Sequence, residues 1–215
     1  MTRPLRTLVL AMVVITVAGF GHSDYWTGND RFNKGDYQGA IEAYTKAIAK
    51  DSSNFAAWFH RATAHGFLNE NELALADYDR AIRILPDFAL AFHYRGHIHS
   101  KMRQYELAIG DYDSALASAG SVAVDAQGVA MVADKATVYY DRGNSHFNLR
   151  RLEDAVASYD SSITLAPKFG NAYNNRGFSR IGMGDSTGGC ADLRIACKLG
   201  VQYACRWVRD TCGTR

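Results

Sequence analysis

"NENELALADYDRAIRILPDF" occupies residues 69–88. Ala74, Tyr78 and Ala81 stand four and three residues apart, so they share one face of a helix. Pro86 stops that helix, because proline has no backbone N–H to continue the ladder. The stretch recurs. "GDYQGAIEAYTKAIAKDSSN" begins at Gly35 and "RQYELAIGDYDSALASAGSV" at Arg103, each 34 residues away. "RRLEDAVASYDSSITLAPKF" begins at Arg150, 34 plus 13 residues after the third copy. "GDSTGGCADLRIACKLG" begins at Gly184, again 34 residues on. A small residue therefore recurs at Ala40, Ala74, Ala108 and Ala155, and a tyrosine at Tyr44, Tyr78, Tyr112 and Tyr159.

Upstream of each copy lies a second periodic segment, such as "AWFHRATAHGF" or "VYYDRGNSHF". It opens on Trp58, Phe92, Tyr139 or Tyr173, and a small residue follows four later at Ala62, Gly96, Gly143 or Gly177. Each unit reads as a helical hairpin in which small residues allow close approach and tyrosines fill the gap. One such hairpin cannot bury its apolar face alone, so neighbours must stack.

At this point the residues resemble the tetratricopeptide repeat (TPR) family over about residues 22–200. The resemblance implies an all-α, right-handed α-solenoid of about five units, near 22–54, 55–88, 89–122, 136–169 and 170–200. The first unit departs from the pattern, with Asp24 in the aromatic column. The fifth is degenerate, with Gly189 and Leu193 where Ala and Tyr stand elsewhere. The 13 extra residues fall in "SAGSVAVDAQGVAMVADKA", 118–136, read as a longer connection with extra helical turns at either side. A binding loop is the alternative.

All four cysteines lie near the end, at 190, 197, 205 and 212. Residues 201–215 read as a cap helix and tail after Gly200. Seven residues rotate by about 700° on a helix, so Cys190 and Cys197 share a face, as do Cys205 and Cys212. In an antiparallel hairpin one register opposes Cys197 to Cys205 and Cys190 to Cys212, with facing Cα atoms in disulfide range. The expected bonds are those two. Four reduced, buried cysteines are the alternative. The Cys-x7-Cys pattern also resembles Sel1-like repeats, which staple hairpins in this way.

The N-terminus carries Arg3 and Arg6, then an apolar run from Leu8 to Phe20 with Thr16 as its one polar residue. Residues 1–21 read as a secretory signal peptide or, if uncleaved, as a membrane anchor. The expectation is an exported protein, periplasmic, secreted or anchored, in a compartment where disulfides persist. The formal net charge of +2 gives no electrostatic case for nucleic acid.

No G-x-S-x-G, S-x-x-K, H-E-x-x-H or phosphate-binding glycine loop occurs. The chain is expected to be non-enzymatic, with no cofactor and no metal. An enzyme of Sel1-like kind has only the cysteine resemblance behind it. His93 and His97 stand four apart with His99 near, but a metal needs a third ligand. In the TPR family the first helices line a concave groove, and the residue after the aromatic opener and the one four further on face it. Here those positions are Tyr25 and Asn29, Phe59 and Thr63, His93 and His97, Tyr140 and Asn144, Asn174 and Phe178. Such a stripe suits an extended peptide or a protein partner. A structural spacer or self-association module is the alternative. Asn29 and Asn144 match the asparagine column of chaperone-binding clamps, but no lysine accompanies them. Arg61, Arg95, Arg142 and Arg176 precede the small residue of their first helices. They face two readings, an anion-binding row or ion pairs with Asp77, Asp79, Asp111, Asp113 and Asp160.

Overall fold

The computed structural model describes residues 23–125 and 128–213. The signal or anchor reading of residues 1–21 lies outside them. The described chain forms five helical hairpins. They are α1 (Asp24–Asn33) with α2 (Tyr37–Lys50), α3 (Phe55–Phe67) with α4 (Asn71–Ile84), and α5 (Ala89–Lys101) with α6 (Tyr105–Ser118). After an insertion come α7 (Lys135–Asn148) with α8 (Leu152–Leu165), then α9 (Gly170–Gly182) with α10 (Ser186–Lys198). A last helix, α11 (Gln202–Thr211), packs on α10.

The turn inside each hairpin is built the same way. One residue adopts a left-handed backbone, in turn Gly35, Asn69, Arg103, Arg150 and Gly184. The next amide then reaches back five residues, as Asp36 N–H does to Arg31 C=O at 3.0 Å. This satisfies carbonyls that the helix end leaves orphaned. Several helix starts are capped by side chains: Asp36 accepts from Gly39 N–H, Asn54 from Ala57 N–H and Asp185 from Gly188 N–H.

Within each hairpin the tyrosine of the second helix lies against the small residue of the first. Tyr44, Tyr78, Tyr112 and Tyr159 are all fully buried. A Cβ on Gly28 would meet the Tyr44 ring at 2.4 Å, and one on Gly143 the Tyr159 ring at 2.6 Å. Glycine is therefore required there by close approach. Gly28 also fixes the first unit, whose aromatic column the sequence leaves blurred. In the last hairpin Leu193 takes the tyrosine's place and is fully buried.

Charged side chains lock one hairpin to the next. Arg95 bridges Asp111 of its own hairpin and Asp79 of the preceding one, the latter at 2.6 Å. Arg176 does the same with Asp192 and Asp160. Arg61 pairs with Asp77 through two bonds of 2.7 Å and reaches back to Thr45. Arg142 reaches back to Asp113 at 2.6 Å and meets Ser158 in its own hairpin. The backward reach spans 16 residues in three cases and 29 in the case of Arg142, the excess being the 13 inserted residues. The stack thus runs through the insertion without a break. Of the two readings for the arginine row, these contacts are ion pairs that set the stacking.

The insertion itself differs from the expectation of extra helical turns. Ala123–Val124 (β1) and Ala130–Met131 (β2) pair antiparallel, Ala123 opposite Met131 and Val124 opposite Ala130. The physical reason is a period of two. Ala123, Asp125, Met131 and Ala133 are buried, while Val122, Val124, Val129 and Val132 are exposed. Valine favours extended backbone, and Gly128 supplies the left-handed turn.

At the C-terminus Cys190 is bonded to Cys212 and Cys197 to Cys205, with Cα atoms 5.6 and 4.7 Å apart. The bonds hold α11 to α10. No helix among the described residues is long and apolar enough to cross a membrane.

Candidate functional site: the face of the first helices

Successive first helices touch one another: α1 meets α3, α3 meets α5, α5 meets α7 and α7 meets α9. No comparable contact joins successive second helices among the described residues. The first helices therefore line the inner, tighter face of the curve. Three zones follow one another along it.

The first zone is covered. The β1–β2 hairpin lies over α1 and α3, where Ala123 and Met131 join a core with Tyr25, Phe59 and Phe88. Tyr25 Oη donates to Asp125 Oδ2 at 3.1 Å. His60 packs against Tyr25 and Tyr44, with ring centroids at 5.7 and 5.8 Å. Burial lowers its pKa to about 4, against an opposing pull from the Asp125 carboxylate. Its imidazole is neutral near pH 7. Burial likewise pushes the Tyr25 phenol up, so it stays a hydrogen-bond donor.

The second zone is open. A cleft of roughly 320 Å³ lies between α3 and α5, lined by Thr63, Gly66, Phe67, Tyr78, Tyr94, His97, Ile98 and Lys101. A smaller hollow of roughly 250 Å³ adjoins it, lined by His93, Tyr94, His97 and Asp141. Phe67 and Tyr94 are exposed, at 56% and 38%. His93 Nε2 lies 2.9 Å from Asp141 Oδ2, which ties α5 to α7 across the inserted segment.

The third zone is a band of amides. Asn175 Nδ2 donates to Asn144 Oδ1 at 2.8 Å and to Tyr140 Oη at 3.2 Å. Asn174 Nδ2 donates to Asn175 Oδ1 at 2.9 Å, and Asn174 Oδ1 is buried without a partner among the described residues. Beyond it Phe178 packs edge-on against Trp207 of α11 at 5.1 Å, so the cap helix closes this end.

The residues expected to line an open groove thus divide. Tyr25 and Phe59 are each only 3% exposed, Tyr25 bonded to Asp125 of the inserted segment and Phe59 packed among Tyr78, Phe88 and Tyr94. Asn29 and Asn144 turn inward, accepting from Tyr44 Oη at 2.7 Å and Tyr159 Oη at 2.9 Å. Thr63 pairs with Tyr78 Oη in the same way at 3.0 Å. This column helps seat the buried tyrosines, a role that the sequence reading missed. Its signal was present, since residue four of the stripe and each tyrosine lie a constant 15 apart. His93 and His97 border the open zone, and Tyr140 and Asn174 belong to the amide band. Phe67, Tyr94 and Lys101 were not singled out from sequence. Among the described residues no cluster of three or more His, Cys, Asp or Glu side chains could hold a metal.

The characteristic pattern of tetratricopeptide repeats matches residues 27–87 and 95–169. The chain belongs to the tetratricopeptide repeat family. Two curated TPR relatives match one short stretch each. Hsp70-Hsp90 organizing protein 2 of Arabidopsis thaliana is 33% identical over 61 residues, 28% of this chain. The STIP1 homolog of Dictyostelium discoideum is 36% identical over 62 residues, 29% of this chain. The match spans 11% of each relative's length. Solved structures share the fold over most of the chain. One of MamA superposes with a TM-score of 0.71 at 20% identity, covering 82% of this chain and 96% of MamA. YrrB, described as a TPR protein with an unusual peptide-binding site, gives 0.67 at 16% identity, covering 83% and 87%. The TPR architecture is that of a protein-interaction scaffold.

Proposed function

We propose that this TPR chain is an exported, non-enzymatic scaffold that holds a protein or extended peptide on its inner face, in the open zone between α3 and α5. The observation that carries the reading is the cleft. Exposed Phe67 and Tyr94 offer apolar area, and His97 and Lys101 offer polar contacts at its walls. Export is supported by the apolar run from Leu8 to Phe20 and by the two disulfides, which persist outside a reducing cytoplasm. Whether the N-terminus is cleaved or retained as an anchor follows from N-terminal sequencing of protein recovered from the envelope.

The test is a crosslinking pull-down from native envelopes. Wild type is compared with a Phe67→Ala, Tyr94→Ala, His97→Ala variant whose helical content and melting are first matched. A partner held by wild type and lost by the variant is the expected result. Equal recovery sinks the cleft reading. It moves the balance to a spacer or self-association module. That second reading draws on the hairpin, which already fills part of the inner face and turns four valines outward. Sedimentation over a range of concentrations then reads self-association directly.

A further inference from the structure

We infer that the inserted hairpin is a resident ligand of the inner face, and that the surface it covers takes in its place a peptide strand of apolar residues bearing one carboxylate. The inference goes beyond the cleft reading above, because it concerns the covered zone of the same face.

The hairpin is separable from the stack. The Arg142–Asp113 pair crosses it with the same backward reach as in other repeats, plus the inserted length. The three other links between hairpins, 51–54, 85–88 and 166–169, are four residues each and carry no such segment. The solenoid therefore does not need the hairpin to stay in register. What the hairpin does is present side chains to α1 and α3.

Those side chains form a recognisable pattern. Apolar residues alternate toward the helices, with Ala123 and Met131 in the aromatic core and Ala133 in the next cluster. One carboxylate, Asp125, sits among them, 8% exposed. Its Oδ2 accepts from the Tyr25 phenol at 3.1 Å, with His60 beside it, and its Oδ1 accepts from Val129 N–H within the hairpin at 2.9 Å. A buried carboxylate must find donors, so this position discriminates for a carboxylate in a way the alanine contacts cannot. Extended segments that dock by alternate side chains are a recurring mode of peptide recognition.

The hairpin's own structure is slight. Its strands are two residues each, and a short two-stranded ribbon is marginal by itself. It stays seated because tethering at both ends gives a high effective concentration, on the order of millimolar. A free ligand of the same chemistry competes against that concentration.

The experiment removes the tethered competitor. A variant lacking residues 121–133 restores the 34-residue spacing. Fluorescence anisotropy then follows a labelled synthetic peptide of residues 119–134. The deletion variant is expected to bind it saturably, and the wild-type chain at least about tenfold more weakly. A peptide carrying Asp125→Asn is expected to lose about tenfold against the deletion variant, as is the deletion variant carrying Tyr25→Phe. A helical, cooperatively melting deletion variant that does not bind overturns the inference, and so does indifference to both substitutions. If the deletion variant does not fold, hydrogen exchange on the full chain decides. Tyr25→Phe is expected to speed exchange at Asp125 and Val129 by about tenfold while the helices are unchanged; unchanged hairpin exchange overturns the inference. The two readings fail separately. If a folded deletion variant fails to bind the peptide while the Phe67, Tyr94, His97 variant still loses the pull-down partner, the resident-ligand inference falls and the cleft reading stands. If the Phe67, Tyr94, His97 variant holds that partner fully, the cleft reading falls while the anisotropy result is untouched.

Discussion

The inner face is closed at one end by the inserted hairpin and at the other by α11, and the two covers are held by different physics. The hairpin is seated by Ala123 and Met131, which join the aromatic core, and by the Tyr25–Asp125 bond. The cap helix is fastened to α10 by two covalent bonds, with Trp207 against Phe178. One cover can leave and return without chemistry; the other cannot. The contrast is between a covalent fastening of α11 to α10 and a non-covalent seating of the inserted hairpin.

The largest effect is expected in the cores of the stacked hairpins. Tyr112→Ala should destabilise the chain by about 3–5 kcal/mol, since it opens a cavity beside Gly96 in the hairpin core. Urea unfolding measures it. A near-neutral result would break the premise that the stack, rather than its covers, carries the stability.

Next comes the covalent cover. The Cys190–Cys212 bond closes a loop of 22 residues, for which chain entropy gives about 3 kcal/mol. Replacing both cysteines by serine should lower the unfolding free energy by that order and free the end first, read by hydrogen exchange of α11. A uniform loss across the solenoid would contradict a local staple.

The non-covalent cover should respond to acid. The folded pKa of His60 is about 4, below the ordinary value of about 6.5. The unfolded chain therefore binds the extra proton first. Stability is full above pH of about 6.5 and is lost as pH falls toward about 4, by on the order of 1–3 kcal/mol. His146, also lowered by burial, contributes with the same sign. Thermal melts from pH 7 to pH 4 with wild type and His60→Gln isolate the His60 share; parallel curves would remove histidine from the covered zone's chemistry.

The smallest effect lies in the turns that both ends share. Arg103 holds a left-handed backbone at φ 60°, which costs a non-glycine residue about 1 kcal/mol or more. Arg103→Gly should raise stability by up to about 1 kcal/mol, the relief being offset in part by the entropy of glycine in the unfolded chain. A loss instead would mean that the Arg103 side chain, not its backbone, matters at that turn.

How much of this was legible from the residues depends on the range of the interaction concerned. The recurrence of Ala, Tyr and Ala at four and three residues, repeated every 34, is enough for stacked helical hairpins. A helix face is a local property, and a repeat can satisfy it only by stacking on its own kind. The arginine and aspartate columns followed the same register. The insertion broke that register, and with it the reading. Its valines and alanines alternate with period two, a weak signal over so short a run, so the reading as a longer connection with helical turns at either side did not contain the strand pair. The stripe of groove residues was also only half legible. Its columns were right about which helix face is inward, but position along a helix does not say what lies on top.

Sequence alone therefore determined the repeat, the all-α solenoid and the family, because each depends on periodic contacts between residues close in the chain. Only the tertiary structure decided that Asp125 meets Tyr25 across 100 residues. It also decided that Asn29 and Asn144 turn toward their tyrosines, and that the open part of the inner face centres on Tyr94 and His97. Those outcomes come from where a non-repeating segment finds room to bury its side chains. That choice is made by the assembled surface and by no local pattern.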